Sequence, residues 1–314
     1  MTQRENQWHD IYDYYNGCLE SVEVLDIFTR EKYTLSTREL IEFRPESPDF
    51  ILSIPHSGVL LPTQYKDHFE LNSKSLIEID FFSDIIFEPT GGLQVISRLT
   101  PLFINMNRPR EGSRSEYLPR HLTNSSTEYY SIDDELILQK SYAPLEKESI
   151  LQYYDLYHGL LSSLIEYQKR NMGYALLIDG HSMTSVGLGR AHDKGQERDN
   201  FVVGTLDDTS AHPAIISAFV ETLRQGIGHH GLGLTVSKND PYSGGFITRI
   251  HGNPGRDAHA IQIEVTMGTY MYEPVEKDRV KRFALKQHRV HVVQDILSQA
   301  ITSACDAAGR IYSQ

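Results

Sequence analysis

Two histidines in this 314-residue chain each stand just beyond a short apolar run. His56 follows Phe50-Ile51-Leu52-Ser53-Ile54 and Pro55; His181 follows Tyr174-Ala175-Leu176-Leu177-Ile178, Asp179 and Gly180. Such runs, bounded by Pro or Gly, read as buried strands of a parallel sheet, and open α/β sheets place their ligands at the carboxyl edge. Imidazole nitrogen is a good zinc ligand, and a catalytic zinc takes about three protein ligands with one position open for water. The pair therefore suggests a metal site built from distant parts of the sequence. A carboxylate would complete it. Asp80 and Asp84 are four apart on a predicted helix, so one could bind metal while the other orients a histidine; a solvated helix face would show the same spacing. Asp179 could fix the tautomer of His181 from behind.

A base and an anion-binding group are also visible. In Ile261-Gln262-Ile263-Glu264-Val265, strict alternation puts Gln262 and Glu264 on one face. A carboxylate inside an apolar strand is costly unless paired or functional, and a buried Glu with a raised pKa suits a general base that takes a proton from water. An edge strand with a polar solvent face would look the same. Asn105-Met106-Asn107-Arg108 ends another strand-like run, and Arg suits bidentate carboxylate recognition or an oxyanion. In Asn239 to Arg249, Gly244-Gly245 permits close backbone approach to a ligand and Arg249 could meet its carboxylate; a plain surface turn is the alternative.

The elements that must position these groups alternate between strands and helices. Strands are predicted at 50–54, 93–99, 102–106, 174–178, 200–205 and 260–265. Helices are predicted at 73–87, 149–170, 214–225 (closed by Gly226) and 283–308. Residues 109–132 read as a long surface loop and 187–195 as a glycine-rich loop. Residues 1–45, polar and Tyr-rich, read as an N-terminal extension holding a possible hairpin, and residues 46–314 as one catalytic domain. The alternation indicates a three-layer α/β sandwich with a mixed, mainly parallel sheet.

Composition narrows the function. A formal net charge of -12 excludes an ordinary nucleic-acid surface, and it requires local arginines for an anionic substrate. Cys18 and Cys305 form neither a disulfide framework nor a zinc knuckle. There is no apolar leader among the first ten residues and no run near the roughly 20 residues that span a bilayer, so a cytoplasmic protein is expected.

These segments together resemble the N-formylglutamate amidohydrolase (deformylase) family. The resemblance is carried by Pro55-His56-Ser57-Gly58, Asp80 with Asp84, Asn107-Arg108-Pro109, Tyr157-His158, Asp179-Gly180-His181-Ser182-Met183, Arg198-Asp199 before Val202-Val203-Gly204-Thr205, Asn239-Asp240-Pro241 with Gly244-Gly245-Phe246-Ile247-Thr248, and Gln262-Ile263-Glu264 with Tyr270-Met271. It implies a phosphorylase/hydrolase-like fold related to zinc carboxypeptidases. It implies one zinc at His56 and His181 with an aspartate, Glu264 as base, and Arg108 as a substrate or oxyanion contact. Asn107, Asn239, Gly244, Gly245 and Arg249 are the further substrate-side candidates, with Asp179 and His158 behind the metal ligands. Zinc carboxypeptidases carry a Glu three residues after the first histidine, where this chain has Val59, so the third ligand stays open between Asp80 and Asp84. The implied reaction is hydrolysis of an N-acyl amino acid, foremost N-formyl-L-glutamate, an activity that one branch of the family uses in histidine catabolism. Hydrolysis of another N-acyl amino acid or a peptide, a serine hydrolase using Ser57 or Ser182, and a metal-binding protein without turnover are the rivals.

Overall fold

The structure, a computed structural model, describes residues 20–69, 79–112, 125–127, 141–189, 191–273 and 284–313. The strands of its two larger sheets run in chain order as β1 (Ser21–Asp26), β2 (Lys32–Ser36), β3 (Ile41–Pro45), β4 (Ile51–Ile54), β5 (Leu60–Pro62), β6 (Leu93–Ser97), β7 (Ala175–Met183), β8 (Phe201–Gly204), β9 (Val236–Lys238) and β10 (Ala258–Thr266). The principal helices are α1 (Ser83–Phe87), α2 (Pro144–Met172), α3 (Pro213–His230), α4 (Phe246–His251) and α5 (Gln287–Tyr312). A seven-stranded sheet has the order β3-β6-β4-β7-β10-β8-β9. β6, β4, β7 and β10 run parallel; β3 at one side and the β8/β9 pair at the other run against them. The sheet is mixed and mainly parallel, as the alternation of elements predicts. The expected N-terminal hairpin is β1/β2, which joins β5 in a small separate sheet, while β3 of the same N-terminal region pairs into the main one.

Consecutive strand residues point to opposite faces, and β7 shows what lies on each. Asp179 faces α2, where Tyr157 Oη meets Ser53 Oγ, and Ser53 Oγ in turn donates to Asp179 Oδ1 at 2.9 Å. Gly180 faces α1, where a Cβ would lie 2.9 Å from the Phe87 ring. Only glycine lets that ring come so close to the central strand. α1 packs against α5, and α5 against α3, which completes the second layer. The core runs continuously through both layers, with Ile51, Leu52, Ile178, Ile261 and Ile263 fully buried. Among the described residues no helix is long and apolar enough to cross a membrane.

Several sequence expectations are corrected. The helix predicted at 73–87 is helical over Ser83–Phe87, residues 70–78 lying outside the described ones. Phe82 adopts a left-handed φ of 62°, which ends any helical path from the N-terminal side, so Asp80 and Asp84 do not share one helix face. The run 102–106 is apolar because it is buried, not because it is a strand: the N–H groups of Phe103 and Ile104 bond back to Thr100 O. Gly226 does not close α3. The helix continues to His230 and ends on left-handed Gly231, while Gly226 sits under Ile296 of α5. β7 runs on through His181, which is a strand residue rather than one beyond the strand end. Of the expected loop 109–132, residues 113–124 and 128–132 are outside the described set.

Candidate active site

The carboxyl ends of β4, β7 and β10 meet at one edge of the sheet. His56 lies two residues past β4, His181 on the last turn of the β7 ladder, and Glu264 directly across from it on β10. Between the two histidines lies Asp80, whose backbone N–H donates to His56 O at 3.1 Å. Asp80 Oδ2 is 3.1 Å from His181 Nδ1 and 3.6 Å from His56 Nδ1. One ligand atom from each of His56, Asp80 and His181 lies within 4.8 Å of the other two. Two imidazole nitrogens and one carboxylate oxygen match the donors of a catalytic zinc, whose remaining position goes to water. The residues present fit that ion.

The far side of each imidazole is engaged. Asn105 Oδ1 accepts from His56 Nε2 at 2.8 Å. Asp179 Oδ2 is 3.3 Å from His181 Nε2 and also accepts from Thr248 Oγ1 of α4. Asn107 adds Nδ2 at 3.1 Å from His181 Nε2, and its Oδ1 takes the Ile247 N–H. Carboxylates and carbonyls behind histidine ligands orient the ring and raise its basicity.

Glu264 is buried, and its Oε1 accepts from Gln262 Nε2 at 2.9 Å. Gln262 is held in turn by Gly245 N–H on its Oε1. Burial pushes the Glu264 carboxyl up to about 8; the neighbouring His181 and Arg198 pull the other way. Burial would also raise Asp80, but the hydrogen bond from His181 Nδ1 at 3.1 Å and the nearby His56 outweigh it and hold the carboxyl at about 2. Burial depresses His56 below its usual value. For His181 burial acts in the same direction, yet the Asp179 carboxylate beside it wins and raises the pKa. Two carboxyls and two imidazoles are thus split by environment, as acid–base sites are.

The remaining sequence candidates fall in different places. Asp84 Oδ2 is 2.6 Å from Arg98 Nη1 and stands apart from the His56–Asp80–His181 group. Half-buried Arg108 donates from Nη1 to Asn107 O, next to the site. Exposed Arg249 lies on α4. Asn239 spends its side chain on Thr205, accepting the Thr205 N–H at 2.8 Å. The close approach at Gly245 is to protein: a Cβ there would lie 2.3 Å from Asn107 Nδ2. His158 Nε2–H donates to Met106 O, bracing the segment between Asn105 and Asn107. The sequence reading assigns no role to Asn105 or to Arg198. The Arg198 side chain is buried, bonded through Nε to Asp193 at 2.6 Å and placed over the Tyr242 ring, and its charge reaches Glu264. Both stand in segments the sequence reading singles out, Asn105 two residues before Asn107 and Arg198 just ahead of the 200–205 strand, but neither segment marks them for a role.

The profile of the family "N-formylglutamate amidohydrolase" matches residues 48–271. The N-formylglutamate deformylase of Pseudomonas putida is 24% identical over 275 residues, covering 84% of this chain and 94% of that protein. The enzyme of the same name from Pseudomonas aeruginosa PAO1 is 25% identical over 248 residues, covering 75% and 86%. Among solved structures, the N-formylglutamate amidohydrolase from Ralstonia eutropha JMP134 superposes with a TM-score of 0.63 at 20% identity, covering 87% of this chain and 97% of that one, so the fold is shared.

Proposed function

The chain belongs to the N-formylglutamate amidohydrolase family, and on that premise we propose that it is a zinc-dependent amidohydrolase cleaving N-formyl-L-glutamate to formate and L-glutamate. The observation that carries the reading is the convergence of His56, Asp80 and His181 beside a buried glutamate. The three side chains would hold the ion. When bound, zinc lowers the pKa of water towards about 7 and polarises a carbonyl. Glu264, whose ionised form burial disfavours, would be held more readily as a carboxylate beside a bound cation.

Glu264 then takes the proton from the attacking water and delivers it to the leaving amine, which departs as the amino group of glutamate. Gln262 keeps one carboxylate oxygen of Glu264 engaged, so the other is the one aimed at water. Arg108 is the proposed partner of a substrate carboxylate and Arg249 a further one at the rim; the charge of -12 makes such local cations necessary for a small anionic substrate. The serine alternatives lack a base: among the described residues no histidine is hydrogen-bonded to the buried hydroxyl of Ser57 or Ser182.

The test is formate release from N-formyl-L-glutamate by purified protein, with metal content measured on the same sample. Turnover with about one zinc per chain is the expected result. Stoichiometric zinc without turnover on any N-acyl amino acid would leave a binding protein; turnover without metal would return the serine chemistry.

A further inference from the structure

Asn105 Oδ1 accepts two hydrogen bonds, from Asn107 N–H at 2.9 Å and from His56 Nε2 at 2.8 Å. The first settles which end of the carboxamide points where. A backbone N–H only donates, so the atom it meets is oxygen and not the NH₂ group. With a carbonyl oxygen 2.8 Å away, His56 Nε2 must carry its proton. A neutral imidazole has a single N–H, so Nδ1 is then a bare lone pair, and it faces Asp80 Oδ2 at 3.6 Å. Two electron-rich atoms then face each other in a buried site, an arrangement that suits a cation between them.

We propose that Asn105 is a positioning residue that locks His56 in the Nε2–H tautomer and so keeps its Nδ1 open as a ligand before any metal arrives. The lock is itself anchored. Asn105 N–H bonds to Ser126 O at 2.7 Å, and α2 grips the next residues from one side, with His158 Nε2–H on Met106 O and Tyr154 Oη on Arg108 O, both at 2.9 Å. An oriented ligand loses less freedom on binding, which is how groups behind a metal ligand typically contribute 10–100-fold in affinity. The proposal rests on the metal-site reading for its effect on affinity, whereas the tautomer is a property of the metal-free chain.

The two parts are therefore measured separately. Long-range ¹H–¹⁵N correlation spectra of metal-free protein with ¹⁵N-labelled histidine, recorded near pH 8 with His56 assigned through His56→Gln, report the tautomer directly. The Nε2–H pattern is expected. An Nδ1–H pattern overturns the proposal without any variant having to fold. Asn105→Leu removes the acceptor at similar size; it should release the tautomer and weaken zinc affinity, read by chelator competition, by about 10–100-fold. Asn105→Asp keeps an oxygen at the same atom and should restore both. A leucine variant with unchanged tautomer and affinity, or an aspartate variant as poor as leucine, sinks the assignment. If the tautomer follows Asn105 as stated while no variant nor the parent binds zinc, the lock stands and the zinc reading falls.

Discussion

His181 and Glu264 are direct cross-strand partners on β7 and β10, two adjacent strands at the middle of the seven-stranded sheet. Each is flanked by paired strands on both sides, so their spacing is set by the hydrogen-bond ladder and not by a loop. A histidine fit to hold metal and a carboxylate fit to move a proton are thereby carried on one rigid frame, as a site that must hold its geometry requires.

Glu264→Gln keeps the shape and the Gln262 contact and removes the base. Zinc content should be unchanged, and kcat for N-formyl-L-glutamate should fall by at least roughly 10²–10⁴-fold. Turnover within about tenfold of the parent would take the base role away from Glu264.

Asp80→Ala and Asp84→Ala should part company. Asp80 sits between the two histidines, so its loss should cut zinc affinity severely and abolish activity. Asp84 serves Arg98, which also pairs with Glu42 at 2.6 Å; its loss should cost about 1–3 kcal/mol of stability and leave one zinc per chain. Chelator competition and thermal melts on both variants decide it. Equal zinc loss in the two would contradict the placement.

Chelation of the parent protein should abolish formate release, and zinc should restore it. Because binding to the folded state alone stabilises by mass action, the melting temperature should fall on chelation and rise again with zinc. Unchanged melting with full activity after exhaustive chelation would remove the metal.

Gly180→Ala should press the new methyl into the Phe87 ring, where contact would be 2.9 Å. Overpacking of this kind costs about 1–3 kcal/mol, and the displaced backbone belongs to the residue before His181, so zinc affinity should drop with it. Phe87→Leu in the same chain should recover part of both. Melting and zinc titration of the single and double variants test this, and no recovery would mean the clash lies elsewhere.

Acid should destabilise the fold through His259. Burial lowers its pKa to about 4; nearby His212 acts in the same sense and Asp257 against it. Its Nδ1 accepts the His212 N–H and its Nε2 meets Tyr312 Oη, which donates to Asp257. A depressed histidine contributes stability that is complete above the unfolded value near 6.5 and is lost as pH falls towards about 4, at up to about 1.4 kcal/mol per pH unit. His259→Gln should flatten the dependence of unfolding free energy on pH in that window. An unaltered slope would exclude His259.

The parts of the site that short-range pattern encodes are legible in the sequence. An apolar run closed by Pro or Gly announces β4 and β7 with their histidines, and the alternation in β10 puts Gln262 beside Glu264, as the structure has it. The choice between Asp80 and Asp84 is not legible, because it turns on a left-handed φ at Phe82 that a bulky residue rarely adopts and no composition signals. Asn105 is hidden for another reason: its meaning lies in a contact with His56 across 49 positions, and only its partners fix which way the amide points. Gly226 misleads because a glycine that admits a neighbouring helix looks, in one dimension, like one that ends its own.

The parallel order of β4, β7 and β10 also has a temporal side. During synthesis the segments with His56, Asp80 and His181 leave the ribosome before the strand with Glu264, separated from it by everything between Ser182 and Ile263. Non-local pairing of this kind is slow, because loop closure comes before the contacts that reward it. The three candidate metal ligands are therefore all available to the nascent chain while the proposed proton carrier is still unmade, and β10 arrives last of the three strands to complete the candidate site.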